Sequence, residues 1–377
     1  MFIQTLLDTE LLKKHIVDGY VQEAHHDTFP LVLYVYSRKA VYENVWDDVT
    51  TKCRGLIVNS GTGEIVARPF FKFFNYGSEL AIDWFSTEEP VIWEKMDGFL
   101  CTQYTWEGRN YIASKGSFHS PHAKWATAWL QAHEDRRRID TAVVGHTLVF
   151  EGLNRDLRIV VDYGLRQELV LLACIHNETG EELTPAGLRV IADNRGLSTP
   201  RQNNLTLQEA VTNTRREQVG DVDEGFVATW YRDGQPPFRL KIKYVEYLRL
   251  HRLVTGMSPK NIWETLSQGL PVSEYVEHST PWFKAFFEKW ERVFMNEYRR
   301  LHQCGSAAYA AGLDAAGDWD NHGNIGQLRK AFALAVQDSK YSSIAFAMLD
   351  GKDVRPIIWK QVKRLASNAH TLRDATQ

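Results

Sequence analysis

Lys95 lies in the segment Glu94-Lys95-Met96-Asp97-Gly98, between the apolar runs Val91-Ile92-Trp93 and Phe99-Leu100. Asp-Gly is a frequent turn pair, so the plain reading is a hairpin with an exposed lysine. A turn lysine can also attack phosphorus, but only as the neutral amine. Free lysine titrates near about 10.4, so its site must depress that value through neighbouring cations and desolvation. That chemistry calls for further Lys or Arg residues, a divalent cation, and carboxylates that hold the cation or its waters.

The same stretch of chain offers those parts in order. Arg54-Gly55 precedes an apolar run, and Arg68-Pro69-Phe70-Phe71-Lys72-Phe73-Phe74-Asn75 mixes cations with aromatics. Ser114-Lys115-Gly116-Ser117 follows the strand after the turn lysine. Phe150-Glu151-Gly152 ends one strand with a carboxylate, and Asp223-Glu224-Gly225 begins another. Lys241-Ile242-Lys243 places two lysines on one face of a strand, because alternate residues point the same way. Each has an ordinary counterpart: a solvated strand face, turn punctuation or an aromatic core. Their joint order is what carries information.

The elements that must position these residues are mostly short strands. Residues 8–22 have helical spacing, and Leu31–Tyr36 reads as a strand. The runs Gly55–Asn59 and Glu64–Ala67 flank Ser60-Gly61-Thr62-Gly63, a hairpin signature. Phe99–Thr105 and Tyr111–Ser114 flank a second turn. Further strands are predicted at 147–150, 158–161, 169–175, 225–230 and 238–242, with helices near 121–133 and 184–193. Hairpin-linked strands predict a largely antiparallel sheet. After about residue 244 the period becomes helical. Ser258-Pro259 and Thr280-Pro281 are helix starts, the second opening a helix to about His302 with Gly305 beyond its end. More helices are predicted near 322–337 and 353–366. The fold class is therefore α+β, with an antiparallel-sheet-rich domain at 1–247 and an all-α domain at 248–377.

With 377 residues, 44 % of them hydrophobic, the chain is long enough for two domains. No apolar run approaches the roughly 20 residues that span a bilayer, and no basic-then-apolar leader opens the chain, so no membrane partner is expected. Four scattered cysteines, Cys53, Cys101, Cys174 and Cys304, fit neither a zinc nor a disulfide pattern and predict a cytoplasmic protein. The net charge of −3 divides into −7 for residues 1–247 and +4 for 248–377. It argues against coating nucleic acid through bulk positive charge and suits an acidic, metal-using domain beside a modestly basic one.

Lys95 to Gly98, Glu151-Gly152, Glu224-Gly225 and Lys241-Ile242-Lys243 together resemble the ordered motifs of the covalent nucleotidyltransferases, the polynucleotide ligases and mRNA capping enzymes. Arg54-Gly55, Lys72 to Asn75, Ser114 to Ser117 and Lys241 to Tyr247 narrow the resemblance to phage-type ATP-dependent RNA ligases of the branch that repairs cut tRNA anticodon loops. The resemblance covers about residues 30–250 and implies an ATP-grasp-like ligase domain followed by a helical domain that recognises RNA. The implied reaction has three steps. Lys95 takes AMP from ATP, AMP passes to an RNA 5′-phosphate, and an RNA 3′-hydroxyl displaces AMP to seal the strand.

The resemblance also implies roles. Lys95 is the nucleophile. Tyr36, Arg54, Lys72, Glu151, Lys241 and Lys243 bind ATP, Glu151 at the ribose and the two strand lysines at the α-phosphate, where they help depress Lys95. Glu224 binds magnesium or manganese, or its waters. Phe74, Asp97, Gly98, Lys115 and Tyr247 support the site. The implied partners are RNA with 5′-phosphate and 3′-hydroxyl ends, above all nicked tRNA, and a monomer in the cytoplasm, the host's if the gene is a phage's. A GTP-dependent capping-type transferase and a non-catalytic RNA-binding relative remain as alternatives. The absence of a run of short strands after residue 250 disfavours the capping and DNA-ligase branches, which carry a small β-barrel there.

Overall fold

The computed structural model describes residues 1–81, 88–133, 143–157, 160–216, 223–248, 251, 258–270, 281–317 and 325–367. The chain divides into two compact units, Met1–Leu250 and His251–Gln377.

The strands of the first unit, in chain order, are β1 (Val21–His25), β2 (Leu31–Tyr36), β3 (Arg54–Asn59), β4 (Ile65–Ala67), β5 (Phe74–Asn75), β6 (Val91–Glu94), β7 (Phe99–Trp106), β8 (Arg109–Ser114), β9 (His146–Leu153), β10 (Glu168–His176), β11 (Gln202–Asn203), β12 (Gly225–Arg232) and β13 (Gln235–Lys243). They form three sheets, ordered β1-β2-β3-β4, β10-β9-β7-β8 and β11-β6-β12-β13-β5. Pairing is antiparallel throughout, except where β5 runs parallel to β13.

Local chemistry explains the elements. The β3–β4 hairpin is tied by Asn59, whose Oδ1 accepts from the N–H groups of Gly61 and Thr62. β2 is apolar along its length because both faces are covered. Leu31, Leu33 and Val35 enter one core and Val32 another. One face of β9–β10 packs Leu148, Phe150 and Leu171 against the helices Pro121–His133 and Pro185–Arg195. The other face turns Val149, Ala173 and Ile175 to Phe70. The β6–β12–β13 sheet buries Ile92, Ala228, Leu240 and Ile242 with Ala210 and Val211 of the helix Leu207–Thr214. Alternation then sets Arg239, Lys241 and Lys243 on the opposite face of β13.

The structure departs from the sequence expectation in several elements. The helix expected over 8–22 ends at Val17, and residues 21–25 form β1 instead. Val160 and Val161, part of a predicted strand, lie outside regular structure, and Arg158 and Ile159 lie outside the described residues. The valine N–H groups that a sheet would use bond to Asp97 instead. The long helix of the second unit runs Pro281–Ala316 and passes straight through Gly305. Gly305 is a close-approach residue there, since a Cβ would overlap Ile344. The Thr280 cap lies outside the described residues. The helix Ser342–Leu349, which supplies that contact, had no sequence forecast.

The second unit otherwise follows the expected pattern. Ser258 caps Pro259–Ser267, and further helices span Ile325–Val336 and Arg355–Ser367. Phe287, Phe294, Leu301, Ile344, Ile358 and Val362 form its main core. No described helix is long and apolar enough to cross a membrane.

Candidate active site

Sheet register assembles the charged cluster. Glu94 at the end of β6 lies opposite Phe226 of β12, and Gly225 lies opposite Lys243 of β13. The Lys95 N–H then donates to the Gly225 carbonyl at 2.9 Å. Three sequence-distant segments thus end side by side. Glu224 sits between two ammonium groups, with Oε2 2.7 Å from Lys95 Nζ and Oε1 2.8 Å from Lys243 Nζ. The Glu224 side chain is 4 % exposed and that of Lys95 is 17 % exposed.

The turn that carries Lys95 is held from within. The Asp97 carboxylate accepts from the N–H groups of Val160 and Val161, each at 2.7 Å, and from the Tyr247 hydroxyl at 2.7 Å. The Asp97 N–H in turn donates to the Tyr163 hydroxyl at 2.8 Å. Asp97 and Tyr247 are both buried, so they fix the turn from behind. Gly98 N–H donates to Glu151 Oε1 at 3.1 Å, which ties the turn to β9. A Cβ at Gly98 would overlap the Gly152 carbonyl oxygen. Gly98→Ala is therefore expected to displace Lys95 and to lower Tm by several degrees, as overpacking of about 1–3 kcal/mol does. Thermal unfolding of the variant checks this.

The remaining cations lie on aromatic faces. Lys241 Nζ and the Arg54 guanidinium sit 4.6 and 5.2 Å from the Phe73 ring centre. Lys115 Nζ lies 4.6 Å from the Tyr36 ring, and Lys72 Nζ lies 4.9 Å from both Trp46 and Phe74. Ring faces attract cations without neutralising them. One buried Arg54 nitrogen, Nη1, has no hydrogen-bond partner, an orphan donor that an anionic ligand would satisfy.

This arrangement inverts one expectation about charge. Lys95 is held above its ordinary value, not depressed. Burial pushes it down, but the carboxylates of Glu224, Glu151 and Asp97 outweigh burial. The depressed amine is Lys241, pushed well down by burial and by the cations Arg54, Lys72, Lys95 and Lys243. Burial raises Glu151, the Lys95 ammonium opposes it, and Glu224 and Asp97 add to it, leaving Glu151 at about 7. Glu224 resists burial and stays below its usual range because Lys95 and Lys243 stabilise the carboxylate. Burial would raise Tyr36, yet Lys115, Arg54 and Lys72 bring it below the ordinary phenol value.

The sequence-predicted residues thus fall into three neighbouring groups within the first unit. Lys95, Glu151, Glu224 and Lys243 share the carboxylate cluster, and Asp97, Gly98 and Tyr247 brace it. Arg54 and Lys241 share Phe73. Tyr36, Lys72, Phe74 and Lys115 share an aromatic box with Trp46. Trp46, Phe73 and Tyr163 belong to these contacts, and nothing in the local sequence pattern marks Trp46 or Tyr163. Among the described residues no group of three His, Cys, Asp or Glu side chains is placed to cage a metal ion. The donor set, Glu224 beside Glu151, suits a hydrated hard cation that shares its shell with a bound phosphate.

A family model described as RNA ligase matches residues 52–247. A protein of Thermovibrio ammonificans, provisionally named an RNA ligase, is 28 % identical over 207 residues, 54 % of this chain and 53 % of that protein. The RNA ligase of Rhodothermus phage RM378 is 24 % identical over 364 residues, 80 % of this chain and 81 % of the relative. A protein of Autographa californica nuclear polyhedrosis virus, provisionally named a bifunctional polynucleotide kinase/RNA ligase, is 28 % identical over 227 residues, 54 % of this chain and 31 % of that protein. The chain therefore spans about half the length of the bacterial relative and about a third of the viral bifunctional one.

Proposed function

We propose that this chain, which belongs to the RNA ligase family, joins RNA ends with ATP through a lysyl-AMP formed on Lys95. The observation that carries the reading is the register of β6, β12 and β13, which sets the turn lysine, a buried carboxylate and a second lysine within direct contact.

The roles follow from position. Lys95 Nζ attacks the α-phosphorus of ATP, forming the N–P bond as the bond to pyrophosphate breaks, and its proton must leave. In the structure Lys95 Nζ donates to Glu224 Oε2, the carboxylate placed to accept that proton. A divalent cation, magnesium or manganese, would be held at Glu224 through its waters and would screen the phosphate charge. Once Glu224 has taken that proton, burial together with Lys243 and Lys241 would favour the neutral amine. Lys241 and Lys243 then face the α-phosphate, and Arg54 Nη1 has a free donor for the phosphate tail. Tyr36, Lys72 and Lys115 form the outer cationic wall, with Phe74 packed on Lys72. Asp97, Gly98 and Tyr247 hold the turn.

Glu151 supplies a pH signature. As a ribose acceptor it must be ionised, and its carboxyl titrates at about 7. KM for ATP is expected to fall as pH rises through that value, and Glu151→Gln is expected to give a higher, flat KM over the same range. Steady-state lysyl-AMP formation from pH 6 to 8 checks both. The folded protein also binds a proton at Glu151 that the unfolded chain releases at lower pH. This group's stabilisation is therefore full in acid and is lost as pH rises through about 7.

The substrate we propose is RNA with 5′-phosphate and 3′-hydroxyl ends, in particular a tRNA nicked in its anticodon loop. Support comes from the resemblance of the Arg54, Lys72–Asn75 and Lys241–Tyr247 segments to that branch. The helical domain expected over 248–377, net +4, would contact the folded RNA, and the chain would act as a cytoplasmic monomer. Incubation with α-labelled ATP or GTP, followed by a nicked anticodon stem-loop or a linear strand, tests the reading. Label taken from GTP alone would favour the capping-type transferase.

A further inference from the structure

Beyond the nucleotide-facing cluster, the same face of β13 leads past Lys241 to Arg239 and into an open pocket of about 190 Å³ in the first unit. Its wall carries the cations Arg68, Lys72, Arg232 and Arg239, against the one carboxylate Glu182. Glu182 is taken by Arg239 in a two-pronged ion pair. Arg68 is different. It is 4 % exposed, it lies 5.0 Å from the Phe71 ring, and its bonds run to the backbone carbonyls of Asn177 and Glu178. Burial alone pushes this guanidinium down to about 10. A buried cation without a carboxylate is costly unless something anionic completes it. The rest of the wall includes Phe71 and Phe73, whose rings already carry Arg68, Arg54 and Lys241, and Phe238 with the Pro236-Pro237 pair, apolar surface of the kind on which bases stack.

We propose that this pocket binds one nucleotide of single-stranded RNA, its phosphodiester near Arg68 and Arg232 and its base against the aromatic wall. The site lies outside the Lys95 cluster and shares only the Lys72–Phe74 wall with it. The inference rests on the RNA ligase reading for its ligand, and it gives the first unit its own grip on the strand. Pyrophosphate offers phosphate charge, and more of it, without a base, so the test separates the two.

Leu80 stands at the pocket wall, 40 % exposed, and takes no part in the lysine cluster, so charge can be placed there without disturbing the core. Full-length protein carrying Leu80→Glu or Leu80→Lys is titrated with a fluorescent single-stranded ribo-oligonucleotide, with and without inorganic pyrophosphate, and lysyl-AMP formation is measured in parallel. Binding is expected to weaken about tenfold with Glu and to hold or tighten with Lys. Pyrophosphate is expected to compete weakly, and lysyl-AMP formation is expected to match the parent. Equal binding by both variants overturns the proposal. Strong competition by pyrophosphate, or lysyl-AMP formation that follows the Leu80 charge, also overturns it and assigns the pocket to the nucleotide's phosphates. A parent protein that forms no lysyl-AMP yet shows the Leu80 charge effect would sink the ligase reading and leave the RNA pocket standing.

Discussion

Lys95→Ala is expected to abolish lysyl-AMP formation and the joining of 5′-phosphate RNA, a loss of at least about 10,000-fold for removal of a covalent nucleophile. The same variant is expected to retain part of its activity on RNA that already carries a 5′-adenylate, because that step needs the phosphate-facing cations and not the amine. Stability should change little by comparison. Removing the ammonium leaves Glu224 with Lys243 as partner, so the buried carboxylate keeps one counter-charge. Lys95→Arg separates charge from nucleophilicity. It preserves a cation beside Glu224 but supplies no attacking amine, and it is expected to be equally inactive in the first step. Gel detection of labelled enzyme, paired with a sealing assay on adenylylated RNA, reads both outcomes.

Glu224→Ala should have the second largest effect. The carboxylate is nearly inaccessible and both of its oxygens are engaged by lysines. Its removal leaves two ammonium groups crowded in a partly buried site, and breaking a buried pair from one side costs about 3 kcal/mol. A drop in Tm of several degrees follows. Lysyl-AMP formation is expected to fall by at least about 100-fold, comparable with loss of one well-placed electrostatic group at a reacting centre. The two lysines respond in a way that a general loss of structure would not produce. Without Glu224, the largest of the carboxylate influences that raise Lys95, only Glu151 and Asp97 still oppose the burial that lowers it. Lys95 in Glu224→Gln is therefore expected to react faster with an amine-directed reagent at pH 8, even as adenylylation slows. Peptide mapping of the modified lysine reads this directly.

Much of the site was legible because its residues punctuate strands. Glu224 sits beside the glycine that opens β12, and Lys241 and Lys243 obey the two-residue period of β13, whereas Glu151, read as a strand end, lies inside β9, which runs on to Leu153. Antiparallel pairing of β6, β12 and β13 then turns sequence order into contact. What the sequence concealed arises from tertiary closure. The sign of the Lys95 perturbation depends on which charge comes within 2.7 Å, and spacing alone cannot show that a carboxylate gets there before a cation. Tyr163 braces the turn across 66 positions of chain, and Trp46 reaches Lys72 from a segment with no periodic signature. Ile159-Val160-Val161 has strong strand propensity, yet the N–H groups of both valines are spent on Asp97, a demand that propensity does not record. In the second unit, Gly305 looked like a helix stop because glycine so often ends helices. There it makes room for Ile344 in the middle of one.

The most direct measurement is to incubate the protein with ATP and magnesium, digest it, and locate the attached nucleotide by mass spectrometry. One AMP on the peptide containing Lys95, stable to base and released by acid as a phosphoramidate should be, is the predicted result. AMP on another residue, or no adduct from ATP under conditions where the protein is folded, would contradict it.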